Sequence, residues 1–286
     1  MKILLCAEIG CNHQGSVSLA MSMIRAAAAS GADIVKFQKR SPRELLSPTA
    51  FNAPHPVPEN AFGDSYGAHR EHLELSGEDH QWLALHCAAN GVAYSSSVWD
   101  ITSAKEIATF APAMIKVPSA SNTDDAMLGW LAANFGGELH ISLGMTSPEE
   151  ESRIIEILSR ANRLSDTVLY ACVSGYPVSA GDACLLEITR LRWLYGGSVK
   201  MIGYSGHHLG IALDPAAAAL GAGIIERHFT LDKEMKGTDH SASLTPSEFA
   251  ALREAVDDTA AALQPKPLLP LAVERETRRK LKNLCS

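Results

Sequence analysis

The chain alternates between short apolar runs and longer amphipathic or alanine-rich segments along almost its whole length. The short runs have the length of buried strands, and the longer segments have the length and composition of helices. The predicted strands cover residues 2–7, 34–37, 92–95, 113–117, 139–142, 167–172, 200–204 and 223–225. The predicted helices cover residues 17–30, 77–90, 102–110, 124–134, 147–161, 182–194, 215–220 and 246–263.

Strict alternation of strands and helices predicts a parallel α/β fold. Eight units fit a (β/α)8 barrel, the TIM barrel, over residues 1–264. A doubly wound open sheet is the alternative, but no GxGxxG motif follows the first predicted strand. Residues 40–76 interrupt the alternation as a long, irregular, proline-containing loop, and such loops are often lids. Residues 265–286 have the composition of a linker-like tail rather than of a domain.

The composition argues against several classes of protein. The chain has 286 residues and a net charge of −7, from 25 basic and 32 acidic side chains, which argues against a nucleic-acid partner. No apolar run reaches the roughly 20 residues needed to cross a bilayer, and the first residues do not resemble a signal peptide. The six cysteines include no CxxC pair. We therefore expect reduced thiols and a cytoplasmic protein with no membrane or nucleic-acid partner.

Polar side chains follow nearly every predicted strand, and in a (β/α)8 barrel the C-terminal strand ends surround the active site. Lys36 and Gln38 share one face of their strand, because Val35 and Phe37 take the other face. By the same alternation, Lys116 also points into the barrel. The other polar residues expected at this rim are Glu8, Ser97, Ser119, Ser174, Tyr176, Ser205, His207, His228 and Asp239.

Two lysines inside one barrel need anions, because an unpaired buried ammonium group is costly. One solution is a phosphate or carboxylate of a substrate, with hydroxyl groups completing the pocket. The candidate hydroxyl groups belong to Ser97, Ser119 and Ser205. The alternative is that Lys36 and Lys116 form ion pairs within the protein, with Glu8 or Glu226 as their partners.

His207 and His228 follow the seventh and eighth predicted strands, on either side of an alanine-rich helix. A parallel βαβ unit of this length places both imidazoles at the same end of neighbouring strands. With Asp239 and Glu8 close in the barrel order, we interpret the two histidines as ligands of a divalent metal. Imidazole and oxygen ligands suit Mn, Fe, Co or Zn, and Mg less well. The alternative is that each histidine simply hydrogen-bonds a loop.

At these residues the sequence resembles the sialic acid synthase family, that is, the N-acetylneuraminate synthases and their legionaminate and pseudaminate relatives. The matching stretches run from the first predicted strand to the last, in the order found in the family. They are AEIGCNHQG at 7–15, GADIVKFQ at 31–38, NAFGDSYGAHREHLEL at 60–75, IKVPSASNTD at 115–124, SLGMTSPEE at 142–150, GYSGHHLGI at 203–211 and IIERHFTLDKEMKGTDHSASLTP at 224–246.

The resemblance implies an enzyme that condenses phosphoenolpyruvate with an aldehyde sugar, usually N-acetylmannosamine, and that uses a divalent metal. Manganese is the implied cofactor, with Mg, Co or Zn as alternatives, and His207 and His228 are its implied ligands. The implied phosphoenolpyruvate pocket consists of Lys36, Ser97, Lys116, Ser119, Ser174 and Ser205. The implied sugar side consists of Glu8, Gln38, Asn60, Tyr176 and Asp239. By this resemblance the two lysines stabilise the phosphate, and Glu8 or Asp239 handles protons.

Some features depart from the family pattern. Members usually carry a C-terminal antifreeze-like domain that lends an arginine to the partner subunit, and we expect this chain to lack that domain. Ser121, Ser174 and Gly206 stand where Glu, Asn and Asp are common. The acceptor is therefore expected to be an N-acetylmannosamine-like or a modified sugar, and the expected protein partners are a second copy of the chain and a separate capping protein. The rival functions are another metal-dependent barrel aldolase or lyase acting on a phosphorylated substrate, and a barrel that binds a ligand without catalysis.

Overall fold

Eight parallel strands close into one barrel, and their order around the barrel is their order in the chain. The computed structural model describes residues 2–282. The strands are β1 (Leu4–Gly10), β2 (Ile34–Lys39), β3 (Ala93–Val98), β4 (Met114–Val117), β5 (Glu138–Ser142), β6 (Thr167–Cys172), β7 (Met201–Gly206) and β8 (Ile224–His228). The predicted (β/α)8 barrel is therefore confirmed, and the open sheet is excluded.

One long helix follows nearly every strand and packs on the outside of the barrel. Ser76, Ser147 and Thr245 begin three of these helices as capping boxes, in which the side chains at N-cap and N3 each accept from a backbone N–H. The helices are α1 (Val17–Ala29), α2 (Pro42–Leu45), α3 (Pro48–Asn52), α4 (Tyr66–Leu73), α5 (Gly77–Ala89), α6 (Ile101–Ala108), α7 (Asp125–Asn134), α8 (Pro148–Arg160), α9 (Leu186–Tyr195), α10 (Asp214–Ala219), α11 (Pro246–Ala262) and α12 (Ala272–Lys282).

Several strands extend further toward their C-terminal ends than the apolar pattern predicts. The prediction ended β2 at Phe37 and β8 at Ile225, whereas the strands continue to Lys39 and His228. The extra residues are polar, and of those that point into the barrel Glu226 is buried, whereas Gln38 and His228 are half-buried. An apolar run therefore marks the lower part of each strand, and the polar upper part carries the candidate chemistry.

Residues 40–76, which we call the lid, are not the irregular loop that was predicted. The segment contains α2, α3 and α4, and a 3-10 turn at Pro58–Asn60. Pro42, Pro48 and Pro58 each occupy the first turn of one of these pieces, where proline fits because its missing N–H would have no partner. The prolines that suggested irregular structure thus begin short helices.

The core has two parts because the side chains of each strand alternate between the helices and the barrel interior. Val35, Phe37, Ile115 and Val117 point outward into the large layer between strands and helices. A smaller cluster fills the lower end of the barrel and consists of Cys6, Ile34, Met114, Val168, Tyr170 and Ile224. The upper half of the barrel interior is left to polar residues, as the alternation around Lys36 predicted.

The C-terminal segment after α11 contains the basic helix α12, whose described side chains are exposed. The part of the predicted tail at residues 283–286 lies outside the described residues, and the tail's assignment as a linker stays a prediction. Among residues 2–282, no helix has both the length and the apolar character needed to cross a membrane.

His80 supplies a test of the packing around β2 and β3. Its imidazole is fully buried, and its Nδ1 lies 2.7 Å from the hydroxyl oxygen of Tyr94. Burial, reinforced by Lys39, lowers the pKa of His80 to about 3. The unfolded chain takes up this proton near pH 6.5, whereas the folded chain does not, so stability falls as the pH drops below about 6.5.

We therefore expect His80→Gln to reduce the pH dependence of the unfolding free energy between pH 6 and 4.5 by about 1.4 kcal/mol per pH unit, the effect of one proton. Urea unfolding at several pH values measures this slope. The control is His72→Gln, which replaces an exposed histidine. A wild-type slope in the His80 variant would contradict the assignment of this proton.

Candidate active site

A cavity of about 390 Å³ opens at the C-terminal ends of the strands, and lid residues form part of its wall. Every site residue named from the sequence lines this cavity except Asn60, which lies in the 3-10 turn of the lid. The lining residues that were predicted are Glu8, Lys36, Gln38, Ser97, Lys116, Ser119, Ser174, Tyr176, Ser205, His207, His228 and Asp239. The barrel thus brings together side chains from almost the whole chain.

The two predicted inward lysines lie deep in the cavity, and both form ion pairs within the protein. Lys36 Nζ lies 2.5 Å from Glu8 Oε2 and 3.6 Å from Glu226 Oε1. Lys116 Nζ lies 2.6 Å from Glu226 Oε1. Lys36 also donates a hydrogen bond of 2.7 Å to Ser97 Oγ. The alternative considered for the lysines, pairing with Glu8 or Glu226, is therefore what the structure shows.

The charges of this network stabilise one another. Burial alone would lower the pKa of Lys36, but Glu226 and Glu8 outweigh burial and raise it well above its usual value. Burial would raise the pKa of Glu226, yet Lys116 and Lys36 outweigh it and hold this pKa well below its usual value. Oε2 of Glu226 accepts no hydrogen bond from any described residue. The network therefore contains a carboxylate oxygen, Oε2 of Glu226, that can accept a further hydrogen bond.

A chain of hydrogen bonds connects this network to the lid. Gln38 Nε2 donates to Glu8 Oε1 at 2.6 Å, and the side-chain oxygen Oε1 of Gln38 accepts from Arg40 Nη2. Arg40 in turn lies 3.5 Å from Glu74 Oε1, and its backbone N–H donates to Glu74 Oε2 at 2.9 Å. The position of the lid is thus coupled to the carboxylate that pairs with Lys36.

The serine hydroxyl groups named from the sequence line the same cavity as the lysines. Ser205 Oγ donates to Glu226 Oε1 at 3.2 Å. Ser119 Oγ accepts from the Gly144 N–H at 3.1 Å and lies 3.7 Å from Cys172 Sγ, beside Ser174. These groups can reorient toward a bound anion, because a hydroxyl can both donate and accept.

The imidazole rings of His207 and His228 lie next to each other in the cavity wall, with their centroids 5.6 Å apart. His207 Nδ1 must carry a proton, because it donates to the Val173 carbonyl oxygen at 2.9 Å, and Nε2 therefore keeps its lone pair. Burial, followed by the influence of His228, lowers the pKa of His207 to about 3, so the imidazole is neutral at physiological pH. Tyr176 covers the pair, with its ring 4.3 Å from that of His207.

The two imidazoles fit a metal site in part. His228 Nδ1 is buried and has no hydrogen-bond partner among the described residues, and it lies 3.9 Å from Asp239 Oδ2. A neutral ring nitrogen with a free lone pair, held by a hydrogen bond on its other nitrogen, is the usual form of a histidine ligand. Within residues 2–282, however, no group of three or more His, Cys, Asp and Glu side chains is arranged to hold a metal. Two protein ligands leave the remaining positions to water or substrate.

A buried cluster behind the cavity wall holds the two histidines in place. Arg227, the neighbour of His228, donates to the carbonyl oxygen of His208 at 2.6 Å and forms an ion pair with Asp214. Its Nη1 lies 3.0 Å from His208 Nε2. Because His208 follows His207 directly, this arginine ties the ends of β7 and β8 together.

Several cavity residues were not found from the sequence. Glu226 was considered only as an ion-pair partner, although it lies two residues before His228 on the same strand face. Arg40 lies two residues after Gln38, so the same alternation could have found it. Arg70 comes from α4 of the lid, and no local pattern indicates that this helix turns toward the barrel.

Comparisons with known proteins show to which family the chain is similar. Residues 23–266 match the model of the NeuB family. The chain is 37% identical over 265 residues to N-acetylneuraminate-9-phosphate synthase of Drosophila melanogaster, covering 93% of this chain and 70% of that protein. It is 35% identical to N,N'-diacetyllegionaminic acid synthase of Campylobacter jejuni, covering 88% and 74%. The crystal structure of N-acetylneuraminic acid synthetase from Leptospira borgpetersenii superposes with a TM-score of 0.82 at 27% identity, covering 100% of this chain and 93% of that one.

Glu226 offers a direct test of the buried network. Replacing it with glutamine leaves Lys36 and Lys116 with Glu8 as their remaining carboxylate. We expect Glu226→Gln to lower the free energy of unfolding by about 3–5 kcal/mol, because an uncompensated buried charge remains. The double variant Lys116→Met, Glu226→Gln should recover part of this loss. Urea unfolding of both variants measures the coupling.

The matched control is Glu156→Gln, which breaks the exposed pair with Arg160. Its cost should stay below about 0.5 kcal/mol, because solvent screens an exposed pair of this kind. Equal losses for the buried and the exposed variant would mean that the network does not stabilise the barrel.

Proposed function

This chain belongs to the NeuB family, and we propose that it condenses phosphoenolpyruvate with an aldehyde sugar to give a nonulosonic acid and phosphate. The observation that carries the proposal is a pair of buried lysines that share one cavity with serine hydroxyl groups and with the neighbouring imidazoles of His207 and His228. Such a cavity suits a small phosphorylated carboxylic acid on one side and a polarised carbonyl group on the other.

The deep part of the cavity is the proposed phosphoenolpyruvate subsite. Lys36 and Lys116 would contact the phosphate and carboxylate, helped by nearby serine hydroxyls. Each ammonium group has three N–H donors, so a substrate oxygen can be bound while the carboxylates of Glu8 and Glu226 stay in contact. Because these partners already fix the lysines, little reorganisation is needed when negative charge moves toward the leaving phosphate. The proposed serine donors are Ser97, Ser119, Ser174 and Ser205.

His207 and His228 would hold a divalent cation, for which we propose manganese. When bound, such an ion acts as a Lewis acid toward a carbonyl oxygen. The hydrogen bond from His207 Nδ1 to Val173 orients Nε2 as the donor atom. Oxygen ligands for the open positions would come from water and from the acceptor.

The remaining residues would guide protons and hold the acceptor. A bond forms between C3 of phosphoenolpyruvate and the aldehyde carbon, and the aldehyde oxygen takes up a proton. Water adds at C2 and loses a proton. The bond between C2 and the phosphate oxygen then breaks, phosphate leaves with the electron pair and takes up the proton of the C2 hydroxyl, and that hydroxyl becomes the keto group. Glu8, deep in the cavity beside Lys36, is placed to accept the proton from water. Gln38, Tyr176 and Asp239 line the outer part and would bind the sugar hydroxyls.

A coupled assay tests the function. The purified chain with manganese, phosphoenolpyruvate and N-acetylmannosamine or its 6-phosphate should release inorganic phosphate and form one new 2-keto acid, identified by its mass. Lys116→Met should lower kcat/KM by roughly 100-fold or more, as expected for the loss of a charged group at the reacting phosphate. Lys105→Met, on the outer helix α6, is the control. Absence of phosphate release with both aldehydes would exclude the proposed reaction for these acceptors.

A binding measurement tests the metal site independently of turnover. We expect His207→Ala to weaken Mn²⁺ binding by at least about 10-fold, because a ligand is lost. Electron paramagnetic resonance of free Mn²⁺ during a titration measures this affinity. His86→Ala, on helix α5, serves as the control. Unchanged Mn²⁺ affinity in His207→Ala would rule out this histidine as a ligand.

A further inference from the structure

Building on the function proposed above, we infer that the acceptor is a phosphorylated sugar aldehyde whose phosphate is bound by Arg70 and Arg40 at the cavity mouth. The relatives described above include a synthase named for a phosphorylated product and one named for an unphosphorylated product, so family membership alone does not decide between the two acceptors. The arrangement of charges in the cavity favours the phosphorylated one.

The cations of the cavity form two groups. Lys36 and Lys116 lie deep and are matched by Glu8 and Glu226. Arg40 and Arg70 lie nearer the mouth. Among the described residues that line the cavity, Asp239 is the only carboxylate other than Glu8 and Glu226. Arg40 also pairs with Glu74, which does not line the cavity, so Arg70 is the cavity-mouth cation that has no ion-pair partner among residues 2–282.

Arg70 is held by the lid but has no acidic partner. Its Nε and Nη2 both donate to the hydroxyl oxygen of Tyr66, at 3.0 and 2.6 Å, and its guanidinium lies 5.0 Å from the Tyr66 ring centroid. No described carboxylate lies within ion-pair distance of it. Arginine has five N–H donors, so this clamp fixes the group while leaving donors for a ligand. Arg70 is thus oriented in advance for a phosphate, which arginine can bind through two parallel hydrogen bonds.

Arg40 supplies a second, deeper cation. It is 7% exposed, stacks on Trp99 at 4.4 Å, and its Nε has no hydrogen-bond partner among residues 2–282. Its carboxylate partner is Glu74 at 3.5 Å, and burial raises the pKa of Glu74 despite the opposing effect of Arg40. A buried guanidinium with an unused N–H on a cavity wall is costly unless a ligand completes its hydrogen bonds.

The order of residues along the cavity places the phosphate at the end of the acceptor that is far from the aldehyde. Glu8 contacts Gln38, and Gln38 contacts Arg40, so Arg40 lies outward from the carboxylate that pairs with Lys36. An aldehyde carbon near the imidazoles would leave the rest of the sugar chain extending toward the lid. A phosphate on the terminal hydroxyl would then meet the two arginines.

Steady-state kinetics with N-acetylmannosamine and its 6-phosphate test the inference. We expect the wild-type chain to prefer the phosphorylated acceptor in kcat/KM. Arg70→Gln should reduce this preference roughly 10- to 100-fold, mainly through KM, which is the effect of losing charge-assisted hydrogen bonds. Equal kcat/KM values for the two acceptors in the wild type would overturn the inference and leave the proposed function intact.

Two control variants separate recognition from lid structure. Arg43→Gln replaces a lid arginine that pairs with Glu71 at the surface and does not line the cavity, and it should keep the wild-type preference. Tyr66→Phe removes the clamp but keeps the Arg70 charge, and it should reduce the preference less than Arg70→Gln. If Arg70 only stabilises the lid, both Tyr66→Phe and Arg70→Gln would lower kcat/KM equally for the two acceptors.

A calorimetric binding measurement tests the arginine site separately from the proposed reaction, even if neither aldehyde is turned over. N-acetylmannosamine 6-phosphate should bind the wild-type chain without phosphoenolpyruvate, and Arg70→Gln should weaken this binding roughly 10-fold or more. Binding of the phosphorylated sugar that Arg70→Gln leaves unchanged would refute the arginine site, whatever the assay of turnover shows.

Discussion

The buried ion network of Lys36, Glu8, Glu226 and Lys116 is the constraint around which the upper half of the barrel is organised. A barrel interior excludes most of the water that normally solvates charge, so each ammonium group inside it must face a carboxylate. The strand register supplies these partners. Glu8 lies directly beside Lys36 in the ladder between β1 and β2, and Glu226 lies beside Ser205 between β7 and β8. A shift of one residue in either ladder would turn a charge toward the apolar helices.

The same register explains why the candidate metal ligands lie next to this network. His228 pairs with Glu8 between β1 and β8, so one carboxylate stands between a lysine on one side and an imidazole on the other. Arg227 points the opposite way on β8 and binds Asp214 and the His208 carbonyl outside the barrel. Alternation along a single strand therefore provides both a group for chemistry and the support that fixes it.

The sequence predicts those parts of the site that depend on strand alternation. It does not predict contacts that depend on how distant segments of the chain pack together. Lys36 and Lys116 could be placed inside the barrel because apolar neighbours take the outer face. Which carboxylates they contact depends on the closure of the barrel between its first and last strands, and no local pattern encodes that. Arg70 is a helical residue whose role depends on how the lid folds over the mouth. The prolines of the lid predict an irregular loop, whereas in the structure they begin short helices.

This division between barrel and lid separates two physical tasks. The four charged residues of the ion network belong to strands, and each strand is held in place by hydrogen bonds to a neighbouring strand on either side. Arg70, which we propose binds the phosphate of the acceptor, is carried by a short helix that contacts the other lid helices far more than the barrel. A substitution in the lid can therefore alter the charge presented to the distal end of a substrate without disturbing the ion network. The hydrogen bonds from Glu8 through Gln38 to Arg40 connect the barrel to the lid. A ligand bound at the arginines would therefore also change the surroundings of the Glu8 carboxylate.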